Sequence, residues 1–225
     1  MKSYKDIFLD LDETVLDFKK GQKNALFAAC KEFGLTITDE DCGQYDKINK
    51  EAWKTYERGE VEKPVMLVKR YENYLRYLGK EGDPAVLNAL YGKYLSMQGC
   101  FLPGAEEGVR YLKSKYRLSL ITNGNVATQQ GRLKAAGLNN FFDHVFISDE
   151  VGFRKPDVEF FEYALRVSGA EKESTLVIGD SPSSDILGAK NSGLDAVLFD
   201  YRNNTNCPHP YLKKFHDWTD LCAYL

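Results

Sequence analysis

The sequence predicts an α/β protein: a Rossmann-like parallel sheet with helices on both faces, carrying an inserted all-helical domain. Three observations predict it. The 225 residues are enough for one large or two small domains. From Pro103 onward, short apolar runs of strand length alternate with amphipathic helical stretches. Between the first strand and that alternation, helical periodicity is not interrupted by any strand pattern. The implied boundaries are residues 1–17 with 100–225 for the α/β core, and 18–99 for the helical domain.

The first element, Ile7-Phe8-Leu9-Asp10-Leu11-Asp12, reads as a short buried strand running straight into carboxylates. Lys20–Phe33 spaces Ala25, Leu26, Ala29 and Phe33 as a helix does, and Gly34 suits its C-terminal cap. Thr38 or Asp39 caps a second helix that runs to about Arg58. Pro64–Leu78 is a third, and Asp83-Pro84 opens a fourth that ends near Met97. Tyr71, Tyr74, Tyr77, Tyr91 and Tyr94 fall at helical spacings, as a domain core or a dimer surface would. In the alternating region, helices are predicted at Ala105–Tyr116, Val126–Ala136, Asp157–Ser168, Asp185–Asn191 and Trp218–Tyr224. Strands are predicted at Leu118–Thr122, His144–Ser148, Leu176–Gly179 and Ala196–Phe199, with Tyr201–Pro210 as a loop.

Composition excludes several classes. Thirty basic residues against 33 acidic ones give a formal charge of −3, so no basic surface for nucleic acid or anionic lipid is indicated. No apolar run approaches the roughly 20 residues of a membrane span. The segment Met1-Lys2-Ser3-Tyr4-Lys5 has no signal-peptide core. Five widely spaced cysteines with no CxxC pair argue against a disulfide framework or zinc site and fit a reduced, cytoplasmic setting. GxSxG, GxxxxGK[ST] and GxGxxG are all absent.

In open α/β sheets, ligands bind beyond the carboxyl ends of the strands. The residues predicted there are Asp10 and Asp12, then Thr122-Asn123-Gly124, then Lys155 before Pro156, then Asp180 and Asp185. Asp10 and Asp12 are two apart, so the strand period points them the same way. With Asp180 they form a cluster that requires a cation. Carboxylate oxygens with no histidine or cysteine nearby favour Mg²⁺ over zinc. Lys155 and such a cation make the site attractive to a phosphate dianion. The Thr122 hydroxyl and the Asn123 and Gly124 backbone amides are suited to hold phosphate oxygens at a helix start. With no serine machinery, a carboxylate is the natural nucleophile.

These segments resemble the four motifs of the haloacid dehalogenase (HAD) superfamily: Asp10-Leu11-Asp12-Glu13-Thr14, Ile121-Thr122-Asn123-Gly124, Lys155-Pro156, and Gly179-Asp180 with Asp185. They occur in the family's order across nearly the whole chain, and the helical insert is similar to its C1 cap. The resemblance implies that Asp10 is a nucleophile forming an aspartyl-phosphate and that Asp12 is the general acid and base. It implies that Thr122 binds phosphate and that Lys155 steadies Asp10 and the phosphate. Mg²⁺ would be held by Asp10, the Asp12 backbone carbonyl and Asp180, with Asp185 completing the shell, directly or through water. Dehalogenases proper usually lack an aspartate at the position of Asp12, so its presence points to phosphoryl transfer.

A narrower resemblance, to YjjG-type pyrimidine 5′-nucleotidases, is carried by Asn49–Gly59, Leu102-Pro103-Gly104-Ala105, Ile121-Thr122-Asn123-Gly124 and Ser148–Gly152. It implies a small phosphorylated substrate, a nucleoside monophosphate, with Asn49, Trp53 and Tyr56 near it. Trp53 is open to two readings, stacking on a base or packing within its own helix. Phe153-Arg154 stands where the group often has small residues. The alternatives are a phosphatase for sugar phosphates or phosphoglycolate, a phosphomutase of the β-phosphoglucomutase kind, and a non-catalytic binding module. No nucleic-acid or membrane partner is expected, and the chain is expected to be a monomer or homodimer.

Overall fold

The computed structural model describes residues 3–225; Met1 and Lys2, part of the N-terminal segment read above, lie outside them. The chain divides into two compact units, Met1–Lys19 with Gly99–Leu225 and Lys20–Gln98.

The first unit is built on a six-stranded parallel sheet. Its strands are β1 (Asp6–Asp10), β2 (Arg117–Thr122), β3 (His144–Ile147), β4 (Thr175–Gly179), β5 (Asp195–Phe199) and β6 (Lys214–Phe215), in the order β3-β2-β1-β4-β5-β6. The sequence builds outward from β1 to β3, then returns to the other side of β1. The carboxyl end of β1, flanked by β2 and β4, is therefore the switch point at which such sheets bind ligands. The two-residue β6 has no apolar run of its own; it forms by pairing with β5, which is why no element is predicted from the sequence between the Tyr201–Pro210 loop and Trp218.

Alternate strand residues supply two cores. Ile7, Leu9, Leu118, Leu120, Leu176 and Ile178 enter one, with Val197 and Phe199. Phe8, Ile121, Val177, Ala196 and Leu198 enter the other. Helices α5 (Ala105–Lys115), α6 (Val126–Ala135) and α10 (Trp218–Tyr224) contribute Val109, Leu112, Leu133, Trp218 and Leu221 to the first core. A short α7 (Ser148–Val151) follows β3. Helices α8 (Val158–Ser168) and α9 (Leu187–Ser192) contribute Phe160, Phe161 and Ala189 to the second core. Both faces are thus covered, as parallel sheets require.

The second unit holds the body of four helices: α1 (Phe18–Glu32), α2 (Asp39–Glu57), α3 (Lys63–Leu78) and α4 (Pro84–Leu95). Thr38 and Asp41 form a reciprocal capping box on α2, and Asp83 caps α4 ahead of Pro84. Tyr45, Tyr71, Tyr74 and Tyr91 pack together at the centre, with the Tyr45 hydroxyl donating to that of Tyr71 at 2.6 Å. Of the tyrosines singled out in the sequence, Tyr71, Tyr74 and Tyr91 are core, whereas Tyr77 is 44% exposed. Among the described residues no helix is long and apolar enough to cross a membrane.

Packing around α10 is close. A Cβ on Gly108 would lie 2.1 Å from Cε3 of Trp218. Gly108→Ala is therefore expected to destabilise the protein by about 1–3 kcal/mol, despite alanine's better helix propensity. Gly92→Ala, where the helix has open space, should instead gain up to ~1 kcal/mol. Urea unfolding of the two variants checks this; a stabilised Gly108→Ala would contradict the packing.

Candidate active site

Register brings the carboxylates together. Asp10 pairs with Ile121, and Leu9 with Ile178. Thr122 and Asp180 therefore emerge on either side of β1, one step beyond Asp10. Asp185 arrives from a π-helical turn, Pro182–Ile186, capped by the Ser181 hydroxyl. One carboxylate oxygen from each of Asp10, Asp180 and Asp185 lies within 4.8 Å of the others.

Lys155, between α7 and α8, is buried against this cluster. Its Nζ donates to Asp10 Oδ1 at 2.6 Å, to Asp185 Oδ1 at 2.6 Å and to the Ile121 carbonyl at 3.1 Å. All three ammonium hydrogens are thereby used. Asn123 fixes the lysine's main chain: its side-chain amide donates to the Lys155 carbonyl at 2.8 Å, and its oxygen accepts from the Lys155 N–H at 2.9 Å. The other Asp185 oxygen, Oδ2, accepts from the Ser181 N–H at 3.0 Å. Gly179 makes room for it, since a Cβ there would lie 2.3 Å from Asp185 Cγ.

Burial pushes the Asp10 carboxyl upward from its ordinary pKa; Lys155 opposes the shift, and the Asp185 and Asp12 carboxylates reinforce it. Asp180 is also raised, by burial and then by Asp10, Asp185 and Glu13. For Lys155, burial alone would favour the neutral amine, but Asp10 and Asp185 together hold the pKa above its ordinary value. At this spacing each carboxylate pair repels by roughly 3–4 kcal/mol at an effective dielectric of 20. Three carboxylates and one ammonium leave a formal charge of −2. That charge and the all-oxygen donor set fit a hard divalent cation. Asp10 and Asp180 are placed to hold it. Asp185 already has a donor on each oxygen, which suits contact through water.

Asp12 does not join this group. Period-two geometry ends with β1 at Asp10, and the chain turns through Glu13, whose φ is 59°. The turn is closed by Val15 and Leu16 N–H groups donating to the Leu11 carbonyl, and by Glu13 N–H donating to Leu16. The Glu13 carboxylate is fixed by the Lys19 N–H and by Arg202. The turn aims the Asp12 carboxylate at α6. There Gln129 Nε2 donates to Asp12 Oδ2 at 2.9 Å and to Thr122 Oγ1 at 2.8 Å, and Arg132 donates to Asp12 Oδ1. Sequence reasoning passed over Gln129 and Arg132. Their signal is that Gln129, Arg132, Leu133 and Ala136 share the i, i+3, i+4, i+7 stripe that faces a core, which is unusual for two polar residues.

Asn49, Trp53 and Tyr56 belong to the helical unit. Asn49 is 3% exposed; its amide donates to Gln22 at 3.0 Å, and its oxygen accepts from Arg70 at 2.6 Å. Trp53 and Tyr56 are half-buried with rings edge to face, centroids 5.8 Å apart, and Lys63 Nζ lies 5.7 Å from the Trp53 ring.

The family model of the haloacid dehalogenase-like hydrolases matches residues 4–193. Pyrimidine 5′-nucleotidase PynA of Streptococcus pneumoniae is 36% identical over 97% of this chain and 93% of its own. A glyceraldehyde 3-phosphate phosphatase of Methanothermobacter thermautotrophicus is 32% identical over 86% of this chain and 84% of its own. The magnesium-bound crystal structure of the HAD-hydrolase YfnB from Bacillus subtilis superposes with a TM-score of 0.94 at 30% identity, covering 99% of both chains. On the match over residues 4–193 and these full-length similarities, the chain belongs to the haloacid dehalogenase-like hydrolases and is an enzyme of that family.

Proposed function

We propose that this hydrolase is a Mg²⁺-dependent phosphomonoesterase acting through an aspartyl-phosphate on Asp10, with pyrimidine nucleoside 5′-monophosphates as its substrate class. The observation that carries the proposal is the buried ammonium of Lys155, held 2.6 Å from both Asp10 and Asp185 beside Asp180. A carboxylate so placed is fixed in orientation, and the ammonium beside it stabilises negative charge arriving on a phosphoryl group. Thr122 would donate to a phosphate oxygen, joined by the Asn123 backbone amide; the Gly124 N–H is turned to Thr122 Oγ1 at 3.3 Å, and the Asn123 side chain keeps Lys155 in place instead.

In the first step an Asp10 oxygen bonds to phosphorus as the ester P–O bond breaks, and Asp12 gives its proton to the leaving oxygen. In the second step Asp12 takes a proton from water, the hydroxide oxygen bonds to phosphorus, and the bond to Asp10 breaks, releasing phosphate. Asp10, Asp180 and the Asp12 backbone carbonyl would hold Mg²⁺, with Asp185 reaching it through water. The cation would neutralise phosphate charge during transfer. The nucleotide preference is supported by the likeness to PynA. Within the helical unit, Trp53 and Tyr56 are the residues we assign to the nucleoside. Asn49, whose side chain is engaged by Gln22 and Arg70, would act by shaping that surface. The similarly identical glyceraldehyde 3-phosphate phosphatase keeps a small sugar phosphate as the second reading.

Mg²⁺ at a hundredfold its dissociation constant should stabilise the wild type by about 2.7 kcal/mol, seen as a rise in the thermal midpoint. Asp180→Asn removes one of three mutually repelling carboxylates, so it should be more stable than wild type without metal and gain almost nothing from Mg²⁺. An undiminished Mg²⁺ response in Asp180→Asn would contradict the metal assignment. Phosphate release from dUMP and UMP should exceed that from glyceraldehyde 3-phosphate, glucose phosphates and phosphoglycolate, and Asp10→Asn should abolish it on every ester while remaining folded. Equal rates across the panel would remove the nucleotidase assignment and leave the phosphatase one.

A further inference from the structure

Gln129 and Arg132 are each only 1% exposed, yet both lie on the buried stripe of α6, where apolar side chains would be cheaper to bury. Their hydrogen bonds explain the placement. Arg132 Nη1 donates to Asp12 Oδ1 and, at 3.2 Å, to Gln129 Oε1. That acceptor fixes the orientation of the Gln129 amide, because the flipped amide would turn its NH₂ toward the guanidinium and its oxygen toward a carboxylate. Gln129 Nε2 is then shared between Asp12 Oδ2 at 2.9 Å and Thr122 Oγ1 at 2.8 Å. Thr122 Oγ1 also receives the Gly124 N–H at 3.3 Å. With two donors aimed at that oxygen, the hydroxyl's own hydrogen must point elsewhere. Space for the amide depends on Gly124, where a Cβ would lie 2.4 Å from Gln129 Cγ. The Phe18 ring lies 5.5 Å from the Arg132 guanidinium.

We infer that Gln129 and Arg132 are positioning residues: they hold both oxygens of Asp12 in the orientation needed for proton transfer, and they commit the Thr122 hydroxyl to donating toward phosphate. The inference rests on the phosphatase reading above. Neither side chain is assigned a bond to phosphate or to the leaving oxygen; each acts through Asp12 or Thr122. Misplacing a proton-transferring group by about 1 Å is enough to cost about a hundredfold in rate.

The test compares a nucleoside monophosphate, whose leaving oxygen needs a proton, with p-nitrophenyl phosphate, whose leaving group needs little help. Arg132→Gln should lower kcat on the nucleotide about a hundredfold, with KM within about twofold of wild type. In kcat/KM, which ends at departure of the leaving group and so leaves out the hydrolysis step common to both esters, the loss on p-nitrophenyl phosphate should be smaller, and Arg132→Lys should recover part of the nucleotide rate. In an Asp12→Asn background, Arg132→Gln should add almost no further loss, because the group it positions is gone. Gln129→Met should weaken competitive inhibition by inorganic phosphate. Equal losses of kcat/KM on the two esters, or a full Arg132→Gln effect in the Asp12→Asn background, would overturn the inference. If Arg132→Gln does not fold, Arg132→Lys is read against the same two esters and the same background. A wild type inert toward every monoester would overturn the phosphatase reading and this inference with it; an active wild type whose Arg132 and Asp12 effects are additive overturns the inference alone.

Discussion

A single buried ammonium ties the carboxyl end of the sheet together. Lys155 Nζ reaches a carboxylate of β1, a carbonyl of β2 and a carboxylate of the π-helical turn after β4. A charge taken out of water is tolerated only when its partners are close and its hydrogens are all used. Both conditions are met here, and each fixes something else. Asp10 is held because Lys155 is held, and Lys155 is held because Asn123 grips its main chain from both sides. Asp185 is held from one oxygen by the lysine and from the other by Ser181. Gly179 is the residue that lets this carboxylate pack against the end of β4.

The same geometry divides two chemistries that sit close together. The Asp10, Asp180 and Asp185 carboxylates form a group whose residual charge calls for a cation. Asp12, only two residues from Asp10, faces a guanidinium and an amide instead. The turn at Glu13 makes that separation, and Arg202, which donates to both Glu13 and Asp17, braces it. On the proposed mechanism, the carboxylate that passes a proton is thus kept apart from carboxylates suited to holding a metal. Environment, rather than residue type, assigns the roles.

Much of this was legible in the sequence. The alternation of apolar runs gave the parallel sheet, because strands buried on both faces have little choice of composition. The strand-end carboxylates were legible because such folds bind ligands at one edge. Three things were not. β6 has two residues and exists by pairing with β5. The turn at Glu13 broke the period that was to aim Asp12 alongside Asp10; glutamate is not among the residues enriched at positive φ, so nothing in the sequence marks the turn. Gln129 and Arg132 were overlooked because helical spacing says which residues share a face, not what that face meets. For Asn49, which the narrower resemblance places near the substrate, helical spacing likewise gives no sign that its side chain lies in a network with Gln22, Arg70 and Asn88.

The central claim is that Asp10 carries the phosphoryl group between two steps. Rapid acid quench during turnover, followed by proteolysis and mass spectrometry, addresses it directly. The peptide spanning Asp10 should carry one phosphoryl group, labile to hydroxylamine and absent from Asp10→Asn. A phosphoryl group on a serine, threonine or histidine instead, or turnover with no phosphorylated peptide at any quench time while Asp10→Asn remains active, would contradict it.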